Sequence, residues 1–437
     1  MPPALTTLNF DPADPKTALG QLPQAQAVFA LYGADRRAEP YIGRTPNLRA
    51  RLDRLLQPSA KHPRRLHLAA MVRRIEWQLT GSEFESLLAQ FSLLEEIFGS
   101  KALERMHLRP PAFVRFLGSN PYPRIVVTNR PSLREAGWAY GPFPSRAAAE
   151  RFSDEALKLF LLRRCTDDLA PDPSHPGCVY SEMKMCLAPC YKGCTDDRYA
   201  EEAAAVQQFL STRGESRLVT LRARRDQASA DLAFESAAAL HAQVERVEAV
   251  RALAAELVRP LSQLRAVILQ ASAIPDEVAV FIFENGSLRG PAAFSTLGMR
   301  IQNEQSGSTS LFAQPMAVEP ILEEQGLGNR DHGVEDGGQK GTGSEGAKPD
   351  MNVKVARGLL EARLQAAIAG LSASTAPPSA TVRQAHLALL KRWYYRPEAK
   401  RAGEIFFPDA EDRWPIKSIL RGIGRVAAKG ISRQDRA

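Results

Sequence analysis

The sequence has no apolar run of the roughly 18 residues that a membrane-spanning helix needs. Its N-terminus, MPPALTTLNFDPADPK, also lacks the basic start and apolar core of a secretory signal. These two absences argue against a membrane partner and an oxidising compartment. We therefore expect a cytoplasmic protein in which thiols stay reduced.

Charge of either sign is not in large excess. Lysine and arginine number 57 against 49 acidic residues, which gives a net charge of +8 and a pI near 9.3. This balance permits a polyanionic partner such as DNA only if the basic residues are gathered on one face. At 437 residues the chain exceeds one ordinary domain.

Short strand-like runs alternate with helical patterns along the chain, and this alternation predicts an α+β fold made of several parts. Residues 303–352 are rich in Gly, Glu, Gln and Ser and have few aromatics, which is the composition of a disordered linker. In chain order we predict a tail (1–20), a small mixed α/β domain (21–110), a scaffold and cysteine segment (111–200), a helical segment (201–257) with a hairpin (218–253), a β-rich fragment (258–302), a disordered linker (303–352) and a small basic C-terminal segment (353–437).

Local signals in the first domain are specific. AVFALYG (27–33) and EPYIG (39–43) are strand candidates bounded by turn residues. A helix is expected to start with Thr45 as its N-cap, because a proline follows at the first helical position. A second helix is expected over 82–98, where Ser82 begins a capping-box pattern.

Cysteine is scarce and confined: all five residues lie within positions 165–194. Four of them have the spacing C-x12-C-x7-C-x3-C, and four thiolates in a short segment can surround a zinc ion or an iron–sulfur cluster. Four ordinary buried thiols are the alternative. Only one pair is tightly spaced, which disfavours zinc slightly.

The phrases RRCTDDL and CVYSEMKMCLAPC resemble the cysteine segment of the UvrC family, the incision subunit of bacterial nucleotide excision repair. The resemblance implies a [4Fe–4S] cluster, with zinc as the alternative, and Cys194 as an additional cysteine. The ligands that it implies are Cys165, Cys178, Cys186 and Cys190.

EPYIGRTPNLRARL (39–52) is similar to the YIG half of the GIY-YIG nuclease motif at the start of UvrC. The resemblance implies that Tyr41 is the second motif tyrosine and that Arg51 is the helix arginine. Arg44 stands where the family usually has lysine. We expect Arg44 and Arg51 to contact DNA phosphates and all three residues to form the catalytic set.

Two positions depart from the family pattern. Phe29 takes the place of the first motif tyrosine, and Gln90 takes the place of the glutamate that binds the metal, in the register of TGSEFESLLAQ (80–90). A neutral amide brings no negative charge to a divalent ion. We therefore expect cutting to be impaired or absent, with Mg²⁺ or Mn²⁺ bound only if the site is active.

Apolar residues in 218–247 recur at steps of three and four, which predicts an antiparallel helical hairpin broken near residues 233–234. The segment LRARRDQASADLAFESAAALHAQVERV resembles the UVR motif, and this implies docking to the equivalent hairpin of a UvrB-like protein. The implied contact residues are Phe234, Glu235, Ala238 and Leu240. An ordinary internal coiled-coil hairpin is the alternative.

The second, RNase H-like nuclease of UvrC has no recognisable Asp/His set here. Three functions therefore stay open: a repair protein that binds DNA and a UvrB-like protein without cutting, an active metal-dependent endonuclease that incises damaged DNA, and an iron–sulfur protein that binds partners outside repair.

Overall fold

A computed structural model describes residues 5–35, 37–56, 68–131, 138–166, 169–297, 349–373, 378–397 and 400–434. Within these ranges helices and strands are mixed in an α+β arrangement, as predicted, with three four-stranded sheets. No helix in these ranges is both long enough and apolar enough to cross a membrane.

The first sheet is antiparallel, with strand order β1-β4-β2-β3. Its strands are β1 (Thr6–Asn9), β2 (Ala27–Gly33), β3 (Tyr41–Thr45) and β4 (Val72–Leu79). Helices α1 (Pro15–Gly20) and α2 (Leu48–Leu56) pack on one face, where their leucines share a buried core with Phe29 and Ile75. The predicted strand 27–33 is thus β2, and β3 lies at the sheet edge.

Helix α3 (Glu83–Phe98) packs on the other face and is followed by α4 (Ala102–Arg105). The Ser82 hydroxyl accepts a hydrogen bond from the Glu85 N–H at 3.1 Å, so the predicted cap of α3 is present. The Glu85 carboxylate accepts from the Gly81 N–H at 2.8 Å. Both ends of the capping turn are therefore satisfied by side chains.

The second sheet has the order β6-β5-β7-β8 and is covered by helices. Its strands are β5 (Ala112–Phe116), β6 (Ile125–Thr128), β7 (Ala139–Phe143) and β8 (Arg259–Pro260). The helices that follow β7 are α5 (Arg146–Leu157), the short α6 (Val179–Glu182) and α7 (Asp196–Ser211).

Two further helices form a hairpin, α8 (Glu215–Ala230) and α9 (Phe234–Ala252). At its base Leu218, Leu221, Val244 and Val247 are buried in the core of the second sheet. The apolar steps read from the sequence are therefore buried in a seam at the base of the hairpin, whereas Ala228, Ala237 and Leu240 are half-buried. Leu232, at the tip, is 72% exposed, so the seam does not extend that far.

The third sheet has the order β11-β10-β9-β12 and includes residues far apart in the chain. Its strands are β9 (Ala266–Ala271), β10 (Glu277–Glu284), β11 (Ser287–Ser295) and β12 (Glu404–Phe406). The remaining helices are α10 (Pro349–Ser372), α11 (Ala380–Tyr394) and α12 (Ile416–Gln434).

Both faces of the third sheet are buried, because successive side chains of a strand point to opposite sides. Val267, Leu269 and Ile282 pack with α10 and α12. Ile268 and Phe281 pack on the opposite face with α3 and α11. The continuous apolar run VAVFIF in β10 is typical of a strand covered on both sides.

The structure differs from the sequence-based predictions in four places. The predicted tail contains β1 and α1, which are joined to the first sheet by strand pairing and buried leucines. Thr45 ends β3, and it is Asn47 whose side chain accepts from the Ala50 N–H at 2.9 Å at the start of α2. The predicted β-rich fragment and C-terminal segment share one sheet. Most of the predicted linker lies outside the described residues, and α10 begins within its last four positions.

A candidate DNA-binding cleft and a four-cysteine cavity

Tyr41 and Arg51 contact each other on one face of the first sheet. The Arg51 Nη2 donates to the Tyr41 hydroxyl at 3.3 Å. Arg51 reaches the strand because Leu48, Leu52 and Leu55 bury the adjacent side of α2 and leave the arginine at its flank. A tyrosine hydroxyl held by a guanidinium is suited to bind a phosphate oxygen.

Phe29 lies beside this pair and is 1% exposed. Its ring centroid is 6.1 Å from that of Tyr41. Phe29 pairs in register with Gly43 of β3, and a Cβ added to Gly43 would come within 2.8 Å of the Phe29 Cζ. The position of the first motif tyrosine is therefore filled by a ring that is closed off from solvent.

Arg44 lies on the opposite face of β3 from Tyr41, as their separation of three residues requires. Its Nη1 is 3.5 Å from a carboxylate oxygen of Glu83 at the start of α3. Glu83 is held more closely by Arg396, with two hydrogen bonds of 2.8 and 2.7 Å. These contacts, chiefly the hydrogen bonds from Arg396, hold the pKa of Glu83 below its ordinary value. The structure does not group Arg44 with Tyr41 and Arg51.

Gln90 and Tyr41 line the same open cleft at the edge of the sheet, between β3, α3 and α4. The charged residues of the lining come from α4 and its flank, Lys101, Glu104 and Arg105, and the lining also includes His107. Sequence reasoning missed these four residues, since their polar pattern alone is typical of a solvated helix. Glu104 supplies a carboxylate to the cleft at a place other than the position of Gln90.

Four of the five cysteines line one small cavity: Cys165, Cys178, Cys186 and Cys190. Cys194 is not part of this lining and packs with the core of the second sheet. The structure therefore brings together the same four cysteines that the sequence spacing grouped, and leaves Cys194 outside.

Burial, together with the three neighbouring thiols, raises the pKa of Cys186 to about 11. Arg163 is buried beside the cavity, and its Nη1 donates to the Cys165 sulfur at 3.4 Å. Within the described ranges, no three His, Cys, Asp or Glu side chains are arranged to hold a metal ion. The four thiols thus line one cavity, but their sulfur atoms are not arranged as the ligands of a metal ion.

The tip of the α8–α9 hairpin exposes apolar surface. Phe234 is 66% exposed, and Glu235 and Ala238 are exposed beside it, whereas Leu240 is half-buried. Leu232 is exposed two positions before Phe234, and apolar residues gathered in one exposed patch are typical of a binding surface. The residues matched to the UVR motif therefore lie at the accessible end of the hairpin.

Comparison with known proteins gives one family match and many similar chains. A family model described as UvrC/Cho excinuclease, middle domain, matches residues 113–209. The UvrABC system protein C of Alcanivorax borkumensis is 29% identical over 243 residues, which cover 56% of this chain and 39% of that protein. The protein of the same name from Alkalilimnicola ehrlichii is 27% identical over 294 residues, covering 65% of this chain and 46% of that protein.

The chain thus spans less than half the length of the curated relatives that it matches. No solved structure gave a significant match. Taken with the four-cysteine segment that falls inside the matched domain, these similarities show that the chain is similar to UvrC proteins over about half of its length.

Proposed function

We propose that this chain acts in nucleotide excision repair as a protein that binds DNA and a UvrB-like protein, and that its N-terminal module is impaired for cutting. The observation that carries the proposal is the amide of Gln90 in the cleft that Tyr41 also lines. Divalent ions in phosphodiester hydrolysis need anionic oxygen ligands, and an amide supplies only a dipole. The Tyr41–Arg51 contact supports retained phosphate binding.

A nicking assay tests this proposal. The purified chain, incubated with damaged supercoiled plasmid and Mg²⁺ or Mn²⁺, is expected to bind without converting it to the open-circular form. Gln90→Glu should restore weak nicking at best, and adding Arg51→Ala should remove it. Robust nicking by the unmodified chain would overturn the proposal.

Glu104 favours a second candidate, an active metal-dependent endonuclease, because it brings a carboxylate to the same cleft. In that case the unmodified chain nicks DNA, Glu104→Gln abolishes the activity and Glu96→Gln, which changes an exposed carboxylate of α3, leaves it intact. Nicking that survives Glu104→Gln would exclude this role for Glu104.

We propose that the four cysteines hold a [4Fe–4S] cluster, with zinc as the alternative. Their shared cavity, apart from Cys194, supports the proposal. Four thiolates and a cluster carry net negative charge, which the guanidinium of Arg163 beside Cys165 would offset. A bound cluster or zinc ion would link Cys165 to the three cysteines of 178–190.

Anaerobic purification followed by iron, sulfide and zinc analysis tests this assignment. Cys186→Ser is expected to remove the metal and any visible absorbance, and Cys194→Ser is the matched control that should retain both. Preparations free of iron and zinc would refute a metal centre.

The exposed tip of the hairpin supports docking of a UvrB-like protein through Phe234 and Glu235. Phe234→Ala should weaken binding in a pull-down by roughly tenfold, the usual cost of losing an aromatic anchor. Val219→Ala removes another exposed apolar side chain, from the first half of α8 and away from the tip, and should leave binding unchanged. Equal binding by the two variants would contradict docking through the tip.

A further inference from the structure

A depression lined by arginines, none of which lines the cleft, lies between α5 and the base of the hairpin. We name it the basic groove; it is an open depression of about 700 Å³. Its floor is apolar, formed by residues such as Leu221, Val247 and Leu253. Its charged lining consists of Arg151, Glu155, Lys158, Arg217 and Arg246.

The charges of the groove do not cancel. Glu155 pairs with Lys158 at 2.7 Å, and this leaves the three arginines. None of these arginines forms an ion pair with a carboxylate among the described residues.

Two carboxylates of the hairpin helices are bound to arginines that do not line the groove. Glu215 pairs with Arg251 at 3.0 Å and Glu248 pairs with Arg222 at 2.7 Å. Three guanidinium groups around one depression repel one another, and an anionic ligand would relieve that repulsion. Glu215 and Glu248 therefore form no ion pair with the three arginines of the groove.

Arg217 is held in place within this group. Its guanidinium carbon lies 5.3 Å from the centre of the Phe160 ring, and its Nε is buried without a hydrogen-bond partner among the described residues. Stacking on an aromatic ring fixes the plane of a guanidinium while its outer N–H groups stay available. Such an arginine suits the oxygens of a phosphate.

We propose that the basic groove binds the phosphate backbone of DNA, as a contact separate from the Tyr41–Gln90 cleft. This inference rests on the proposed DNA-binding function. Several arginines spread over three helices fit a chain of phosphates better than one small anion. The base of the hairpin would then hold DNA while its tip stays accessible to the protein partner.

Fluorescence anisotropy with a labelled DNA duplex, repeated over a range of salt concentrations, tests the inference. The main variant is the double substitution Arg151→Gln and Arg246→Gln, because both side chains are exposed and their loss should not disturb folding. Each lost phosphate contact makes the negative slope of log affinity against log salt shallower by about 0.9, so the slope should become less steep by about 2. Adding Arg217→Gln, checked for folding by thermal melting, should make the slope shallower still.

The control is the double substitution Arg146→Gln and Arg224→Gln, which removes the same net charge from α5 and α8 outside the groove. It should leave the slope unchanged. Equal slopes for groove and control variants would overturn the inference while leaving DNA binding intact. Failure of the unmodified chain to bind DNA would instead refute the proposed function. If the groove variants lose an acidic protein partner but keep the salt slope, the groove does not bind DNA.

Discussion

Arg396 and Glu83 lie 313 positions apart in the chain and are joined by two hydrogen bonds of 2.8 and 2.7 Å. This pair ties the end of α11 to the first turn of α3, the helix that carries Gln90. The same carboxylate is the neighbour of Arg44. A residue near the C-terminus therefore takes part in the surroundings of a candidate DNA-binding residue.

We expect Arg396→Gln to lower the free energy of unfolding by about 1 kcal/mol, since a two-pronged, partly exposed ion pair is lost. Arg146→Gln removes the exposed pair with Glu150 and is the control, with an expected change below about 0.5 kcal/mol. Urea unfolding of the three proteins measures the difference. Equal stability of the two variants would show that the Arg396 pair adds nothing to the docking of α11.

Gly43→Ala should destabilise the protein by about 1–3 kcal/mol, because the added methyl group would crowd the buried Phe29 ring. Gly424→Ala is the opposite case. Gly424 lies inside α12 with open space around it, so alanine there should stabilise by about 0.5–1 kcal/mol. Thermal melting of both variants checks the signs of these changes. An unchanged melting temperature for Gly43→Ala would mean that the Phe29 ring can shift to make room for the methyl group.

His386 should make stability fall in acid. Burial lowers the pKa of His386 to about 4, below its ordinary 6.5, and its Nδ1 accepts from the Leu288 N–H at 3.0 Å. The neutral ring therefore contributes stability above pH 6.5 that is lost as the pH falls toward 4. Between pH 7 and pH 5 the loss is on the order of 2 kcal/mol. In His386→Gln the loss should be absent, and an unchanged pH profile of unfolding would argue against a buried neutral histidine.

Glu85 should act in the opposite direction. Burial raises the pKa of Glu85 to about 7 from 4.5, so its protonated form contributes stability at low pH that is lost as the pH rises through 7. Glu85→Gln keeps the acceptor for the Gly81 N–H but carries no charge. Relative to the unmodified protein, the variant should gain on the order of 2 kcal/mol between pH 5 and pH 8. Parallel stability curves would contradict this.

Local features of the fold could be predicted from the sequence. The run AVFALYG coincides with β2, and Ser82 caps α3, because strand alternation and capping depend on neighbouring residues only. The cysteine spacing likewise singles out the four residues that share a cavity. Whether these cysteines hold a metal, and whether the cleft cuts DNA, stay predictions.

Non-local features could not be predicted. Strand β12 has three residues, too few for a periodic signal, and its partner β9 lies more than a hundred positions earlier. Glu104 enters the cleft only because α4 folds back beside β3. The contact between Glu83 and Arg396 likewise depends on the docking of α11 on α3 rather than on either local sequence.

The late arrival of β12 has a consequence for biosynthesis. Gly403 fits so closely against β9 that an added Cβ would come within 2.1 Å of the Leu269 carbonyl oxygen, and Gln270 bonds to Ala402 from 132 positions away. While the ribosome is still making the last third of the chain, the edge of β9 that pairs with β12 is unpaired. The apolar face of the sheet that α10 and α12 later cover is exposed to solvent. Nascent or prematurely terminated chains should therefore need chaperone shielding and should otherwise be lost to inclusion bodies.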